Sequence, residues 1–246
     1  MLDLRRSVKS LLLLVALTFF GQSAPPATLP SSGAAATTAA STSPRGPERF
    51  EKNMKAFEEA DKANPPAENA TLFVGSSSFT LWKKLETEFR AFRPINRGFG
   101  GSSFPDLIHY FDRVVLAYKP AKIVVYEGTN DIASKRTPKQ VADDCQTVID
   151  LVRKKLPDAQ LYIMSLNPTP KRDVIADKMD EANALIKKEV EGDPHLHFID
   201  LRHSLTDSAG KSDPRLYRPD GIHPNDEGYA KWIPIITAAL QAPTKP

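Results

Sequence analysis

Cysteine is nearly absent, with one residue, Cys145, in a chain of 246. A lone thiol closes no internal disulfide, and no cysteine pair offers zinc-ligand spacing. A disulfide-stapled scaffold and a cysteine-based zinc site are therefore excluded. An excess of one charge sign is also lacking: 33 Lys and Arg stand against 30 Asp and Glu, a formal net charge of +3. Setting aside residues 1–23, with Arg5, Arg6 and Lys9 against Asp3, leaves +1. A near-neutral body has no concentrated basic face, so nucleic acid is not an expected partner. Only 12 residues are Gly, and with 41% hydrophobic and 26% charged residues the composition is globular rather than collagen-like, coiled-coil or wholly disordered. No internal repeat at solenoid periods is present.

The chain does have distinctive ends. Arg5-Arg6-Ser7-Val8-Lys9 precedes the apolar run Leu11–Phe20, and Gly21-Gln22-Ser23-Ala24 follows it. A basic stretch, a short apolar core and small residues at a cut form the layout of a secretory signal. The run falls well short of the roughly 20 residues of a spanning helix, so stable membrane insertion of the mature protein is not expected. Residues 1–23 are expected to direct export, to a periplasmic or extracellular location. From Ala24 to Pro47, 22 of 24 residues are Ala, Pro, Ser, Thr or Gly, which predicts a disordered tether at 24–47. Residues 48–246 then form one domain.

That body alternates short apolar runs with amphipathic stretches. Candidate strands are Thr71–Gly75, Pro94–Asn96, Lys122–Glu127, Gln160–Leu166 and His197–Asp200. Ile123-Val124-Val125-Tyr126 is apolar without alternation, as a strand covered on both faces should be. Phe50, Met54 and Phe57 mark a helix, as do Ile175, Met179, Ala182, Ile186 and Val190. Thr137-Pro138-Lys139-Gln140 predicts a capped helix start. The residues Val141, Cys145, Val148, Ile149 and Val152 continue that helix and put Cys145 in its core face. The alternation predicts a parallel sheet with helices on both faces.

In such sheets ligands bind beyond the carboxyl ends of the strands. Gly75-Ser76-Ser77-Ser78 follows the first strand, Gly98-Phe99-Gly100-Gly101-Ser102 the second, and Gly128-Thr129-Asn130-Asp131 the third. A serine cluster is commonly a turn or helix cap. A serine at a helix N-terminus also sits in a positive field favouring developing negative charge. Its base would be His223 in Asp220-Gly221-Ile222-His223-Pro224, with Asp220 orienting the imidazole. Gly101 and Asn130 offer a backbone N–H and an amide for an oxyanion hole.

Together these segments resemble the SGNH, or GDSL-type, serine hydrolases. Phe73-Val74-Gly75-Ser76-Ser77-Ser78 is similar to the first block, usually Gly-Asp-Ser, with Ser77 matching the nucleophile and Ser76 replacing Asp. Asn96 to Ser102 resembles the second block; Gly101 matches its oxyanion glycine, and Ser102 stands where many members have Asp. Gly128-Thr129-Asn130-Asp131 matches the third block, with Asn130 as oxyanion amide, and Asp220 and His223 match the last. The resemblance spans the body from Phe50 to Trp232. It implies a three-layer α/β/α sandwich with a five-stranded parallel sheet, flavodoxin-like. It also implies ester hydrolysis through an acyl-serine, with Ser77, Asp220 and His223 catalytic and Ser77, Gly101 and Asn130 forming the oxyanion hole, without cofactor or metal. The expected substrate is a small-molecule or polysaccharide ester, with a short acyl group or an acetylated glycan favoured because no insertion is long enough for a cap domain.

Other readings are poorer. A non-catalytic carbohydrate-binding module on the same fold would not need all five of these residues. Gly98 to Ser103 lacks the third glycine of a dinucleotide loop. Phe79 breaks the nucleophile elbow of α/β-hydrolases. His195, His197 and His203 with Asp200 could gather a metal but read better as strand-edge and cap residues. His109 reads as surface or packing, and Tyr229 with Trp232 as a packing face. Arg97 and Glu127 flank the motifs and fit a structural ion-pair role at least as well as a catalytic one.

Overall fold

Five short strands, each leaving its carboxyl end at one level, set the positions of the loops that follow. The computed structural model describes residues 46–243; the expected signal and most of the expected tether lie outside them. Pro47 opens a 3-10 turn, Pro47–Phe50, where its fixed φ suits the first position. Its carbonyl accepts from Tyr110 Oη at 3.0 Å, and Phe50 packs edge-on against Phe99 at 5.1 Å. In chain order the elements are α1 (Glu51–Ala63), β1 (Thr71–Gly75), α2 (Ser77–Thr80), α3 (Leu85–Glu88), β2 (Pro94–Gly98), α4 (Phe104–Val114), β3 (Lys122–Tyr126), α5 (Thr129–Ala133), α6 (Pro138–Lys155), β4 (Gln160–Met164), α7 (Ala176–Glu189), β5 (Leu196–Ile199) and α8 (Asp226–Gln241).

The sheet is wholly parallel in order β2-β1-β3-β4-β5, the flavodoxin-like winding, with its switch point between β1 and β3. Alternate side chains feed two cores, as a sheet covered on both faces requires. Leu72, Val74, Ile123, Val125, Leu161 and Ile163 pack with α1, α4, α6 and α7. Phe73, Val124, Tyr126, Tyr162 and Met164 pack with α2, α3 and α8. The α/β/α sandwich expected from the sequence is present. Thr137 caps α6 through the reciprocal pair with Gln140, at 3.2 and 2.9 Å. Strand ends differ by one or two residues: β2 runs on to Gly98 because Gly98 pairs with Gly75, a ladder partner that apolar pattern does not register. β3 stops at Tyr126 because Gly128 turns the chain at φ +101°.

Gly75 ends β1 at φ +147°, and a Cβ there would lie 2.3 Å from the Tyr126 carbonyl oxygen. No other residue fits that turn. It releases Ser76 and α2 beside the ends of β2 and β3, where Gly75 is in register with Gly98 and Tyr126.

Candidate active site

Ser76 is the N-cap of α2, and Ser77 is its first residue. The three serines are not equivalent: Ser76 and Ser78 are buried, while Ser77 is partly exposed. The Ser77 hydroxyl lies 2.8 Å from His223 Nε2, and His223 Nδ1 lies 2.8 Å from Asp220 Oδ2. Burial pushes the Asp220 carboxyl up, but the bond from the His223 ring and those from two backbone N–H groups outweigh it and hold the pKa at about 2. An ionised Asp220 only accepts, so Nδ1 carries the ring proton and Nε2 accepts from the Ser77 O–H.

The 146-residue separation of Ser77 and His223 is closed by the last strap of the chain. Tyr217 bridges Pro224 in an antiparallel pair, Arg218 N–H donates to the His223 carbonyl at 2.8 Å, and Asp220 Oδ1 accepts from the Ile222 and His223 amides at 2.8 and 3.0 Å. Tyr229, on α8, donates from its hydroxyl to the Ser78 carbonyl at 2.8 Å. The same ring stacks on Trp82 at 4.5 Å. The Tyr229 and Trp232 face is buried as expected, and its tyrosine also ties α8 to the turn that carries Ser77.

Gly101, at φ +88°, arrives from the loop after β2, and Asn130 from the first turn of α5, which follows β3. Both meet at Ser76: Gly101 N–H donates to Ser76 Oγ at 3.2 Å and Asn130 Nδ2 donates to it at 2.7 Å. The second Asn130 amide hydrogen goes to the Ser102 carbonyl at 2.9 Å, and Asn130 Oδ1 accepts from Arg172 Nη2 at 2.9 Å. Ser76 therefore occupies the place where the two donors converge. The helix-field argument weakens here, because α2 is a single turn and a macrodipole needs many aligned peptides.

Carboxylates brace the loops from behind. Glu127 is buried and accepts from the Ser102 hydroxyl, with no carboxylate-to-cation pair among the described residues. Burial, reinforced by Asp131 and Asp106, raises its pKa well above the carboxylate range. Asp131 accepts from Phe104 N–H at 3.3 Å at the start of α4; burial lifts its carboxyl to about 6 against that bond and Arg136. Arg97 turns instead to Asp61 on α1 and to Tyr118, a structural ion pair away from Ser77.

Other candidates disperse. His195 and His197 both lean on Gln160, at 2.9 and 2.8 Å, and His203 is exposed. Among the described residues no three His, Cys, Asp or Glu side chains are grouped to hold a metal ion. Cys145 is buried in α6, and His109 is exposed with its ring edge on Tyr110. A groove of about 850 Å³ near Asn69 and Lys119, at the amino ends of β1 and β3, contains none of the Ser77 cluster. The sequence does not single out Arg172, nor the bond from Tyr229 to the Ser78 carbonyl or the two donors on Ser76. Arg172 follows β4, so the strand-end rule extended to a fourth loop would have reached it.

The profile of the GDSL-like lipase/acylhydrolase family matches residues 70–231. The chain is 27% identical over 169 residues to platelet-activating factor acetylhydrolase IB subunit alpha1 of Pongo abelii, covering 66% of this chain and 71% of that protein. The Homo sapiens subunit matches at 26% over 148 residues, 58% of this chain and 63% of its own length. A GDSL-like lipase structure from Bacteroides thetaiotaomicron superposes with a TM-score of 0.65 at 21% identity, over 77% of this chain and 97% of that one. An acetylxylan esterase from Geobacillus stearothermophilus gives 0.58 at 14% identity, over 74% and 99%. At those identities the likeness is one of fold.

Proposed function

This chain belongs to the GDSL-like lipase/acylhydrolase family and acts on ester bonds as a serine hydrolase of that type, and we propose that Ser77 is its nucleophile. The observation that carries this reading is the run of hydrogen bonds from Asp220 through His223 to Ser77. Ser77 Oγ attacks the ester carbonyl carbon as its proton passes to His223 Nε2, and Asp220 stabilises the imidazolium. The carbonyl oxygen, now an anion, takes hydrogen bonds from Ser77 N–H, Gly101 N–H and the Asn130 amide. In the resting protein two of these donors are held on Ser76 Oγ. A charged oxygen is the stronger acceptor and displaces that hydroxyl. His223 then returns the proton to the departing alcohol. Water, deprotonated by His223, attacks the acyl carbon and releases the acid, restoring Ser77.

For the substrate we propose an ester of a short acyl group, with a bulky alcohol such as a glycan. Ser77, Asn130, Asp220 and His223 are all partly exposed, and open space lies where a Gly101 side chain would stand. An open site tolerates a large alcohol but offers little apolar wall to a long acyl chain. The names of the acetylhydrolase and acetylxylan esterase relatives agree with an acetyl group. Rates on nitrophenyl esters are expected to peak at acetate to butyrate and fall by octanoate, with acetate released from acetylated xylan. A preference for long acyl chains, with no acetate from the glycan, would overturn the assignment.

Export is proposed from the basic and apolar pattern of residues 1–23. Expressed with its full sequence in a bacterial host, the protein is expected outside the cytoplasm with its N-terminus near Ala24. Cytoplasmic protein retaining Met1 would refute this.

A further inference from the structure

Arg172 lies in the loop after β4, Pro168-Thr169-Pro170-Lys171-Arg172, and its guanidinium reaches across to the end of β3. We propose that Arg172 is a positioning residue for the oxyanion amide, fixing the orientation of Asn130 and polarising its N–H bonds through the 2.9 Å contact from Nη2 to Oδ1. The inference rests on the acyl-serine reading above and adds to it a residue that acts through another.

An asparagine amide has two orientations of similar shape, related by a half-turn about its last torsion. The groups around Asn130 allow only one. A guanidinium has donors and no acceptor, whereas the Ser102 carbonyl accepts and cannot donate. With Oδ1 toward Arg172 and Nδ2 toward Ser102 and Ser76, all three contacts are complementary. Reversed, donor would face donor at Arg172, and acceptor would face acceptor at Ser102. Ser76 is no help in the choice, since a hydroxyl serves either partner. Arg172 and Ser102 are therefore the two groups that discriminate, one at each end of the amide.

The charge matters as well. Arg172 is partly withdrawn from water with no carboxylate partner among the described residues, and that partial burial loosens its hold on its proton. Placing a guanidinium there is unfavourable unless it is hydrogen-bonded. Its side-chain bond among the described residues goes to Asn130. A cation at Oδ1 strengthens the donors at Nδ2, and that gain grows as negative charge develops on the substrate oxygen. The loop is rigid enough to hold it: Arg172 N–H donates to Thr169 O at 2.7 Å, Ile175 N–H to Arg172 O at 3.0 Å, and Lys171 N–H to Gly221 O at 3.1 Å. The last of these ties the Arg172 loop to the segment carrying Asp220 and His223.

The test is a double-mutant cycle on the full chain, reading kcat, KM and melting temperature with an acetate ester. Arg172→Met keeps the stem and removes the donor. It is expected to lower kcat about tenfold, less than the hundredfold or more for loss of a whole oxyanion donor, with KM within about threefold. In the Asn130→Ala background the same change is expected to move kcat by less than about twofold, because nothing remains to position. Arg172→Lys should recover part of the loss. A kcat for Arg172→Met within twofold of the parent, or losses that multiply in the double variant, would overturn the inference. If Arg172→Met does not fold, Arg172→Lys carries the cycle on the same criterion of non-additivity. Ser77→Ala, assayed alongside, separates the two readings. Activity surviving in it removes the acyl-serine reading itself, whereas an inactive Ser77→Ala with multiplying losses removes only the role of Arg172.

Discussion

Ser77→Ala is expected to leave a folded protein whose ester hydrolysis is slower by about six orders of magnitude, the loss seen when a serine nucleophile is removed from a triad. The fold should survive because, among the described residues, the Ser77 side chain bonds only to His223, and alanine is favourable at a helical position. The capping position belongs to Ser76. Ser76→Ala makes the contrast. It removes the acceptor shared by Gly101 N–H and the Asn130 amide, but Gly101 is exposed and Asn130 partly so, and water can take the vacated place, so stability should fall by only about 1 kcal/mol. The donors themselves stay in place, so kcat should remain within about tenfold of the parent, far from the collapse expected for Ser77→Ala. Steady-state rates and melting temperatures of the two purified variants decide the matter. If Ser76→Ala were inactive and Ser77→Ala active, the nucleophile would be the capping serine and the His223 contact would belong to the resting state alone.

Asn130→Ala should reduce kcat by about a hundred- to a thousandfold, or about 2.7–4 kcal/mol of barrier, with a much smaller change in KM. The asymmetry follows from when the charge appears. A ground-state carbonyl oxygen draws little on an amide donor, whereas the oxygen of the tetrahedral intermediate carries a full charge, so the interaction acts mainly in the transition state. Asn130 also donates to the Ser102 carbonyl, so the variant should lose some stability, about 1 kcal/mol for one hydrogen bond. If bracing the loop were its whole role, melting temperature would fall while the folded enzyme turned over normally. A stable variant within about threefold of the parent kcat, far below the loss expected of an oxyanion donor, would therefore take Asn130 out of the hole.

Much of this site is legible in sequence because its parts are local. The glycine at 75 is demanded by a turn that leaves no room for a Cβ beside Tyr126. The Asp220 and His223 pair lies three residues apart in one turn. Glu127 shows the limit. It stands beside the third motif and suggests an ion pair, yet it is buried against Ser102 without a cation, because its side chain points behind the loop that the motif presents. Arg97 suggests the same and does make an ion pair, with Asp61, a helix away. Neighbours in sequence do not tell which face of a strand end a side chain will leave by when the partner comes from another element.

The order of strands and helices, the double-sided burial of β3, the start of α6 and the residue types at three strand ends were determined by the sequence alone. Each depends on periodicity, capping or backbone restriction within a few residues. Only the tertiary structure decided which of three serines meets His223, that Ser76 gathers the Gly101 and Asn130 donors, that Tyr229 bonds the turn holding Ser77, and that Arg172 reaches Asn130. Those pairings join residues 25 to 151 positions apart. A hydrogen bond is made or lost within a few tenths of an ångström. That precision comes from the register of parallel strands and the packing of α8 against them, which no local pattern encodes.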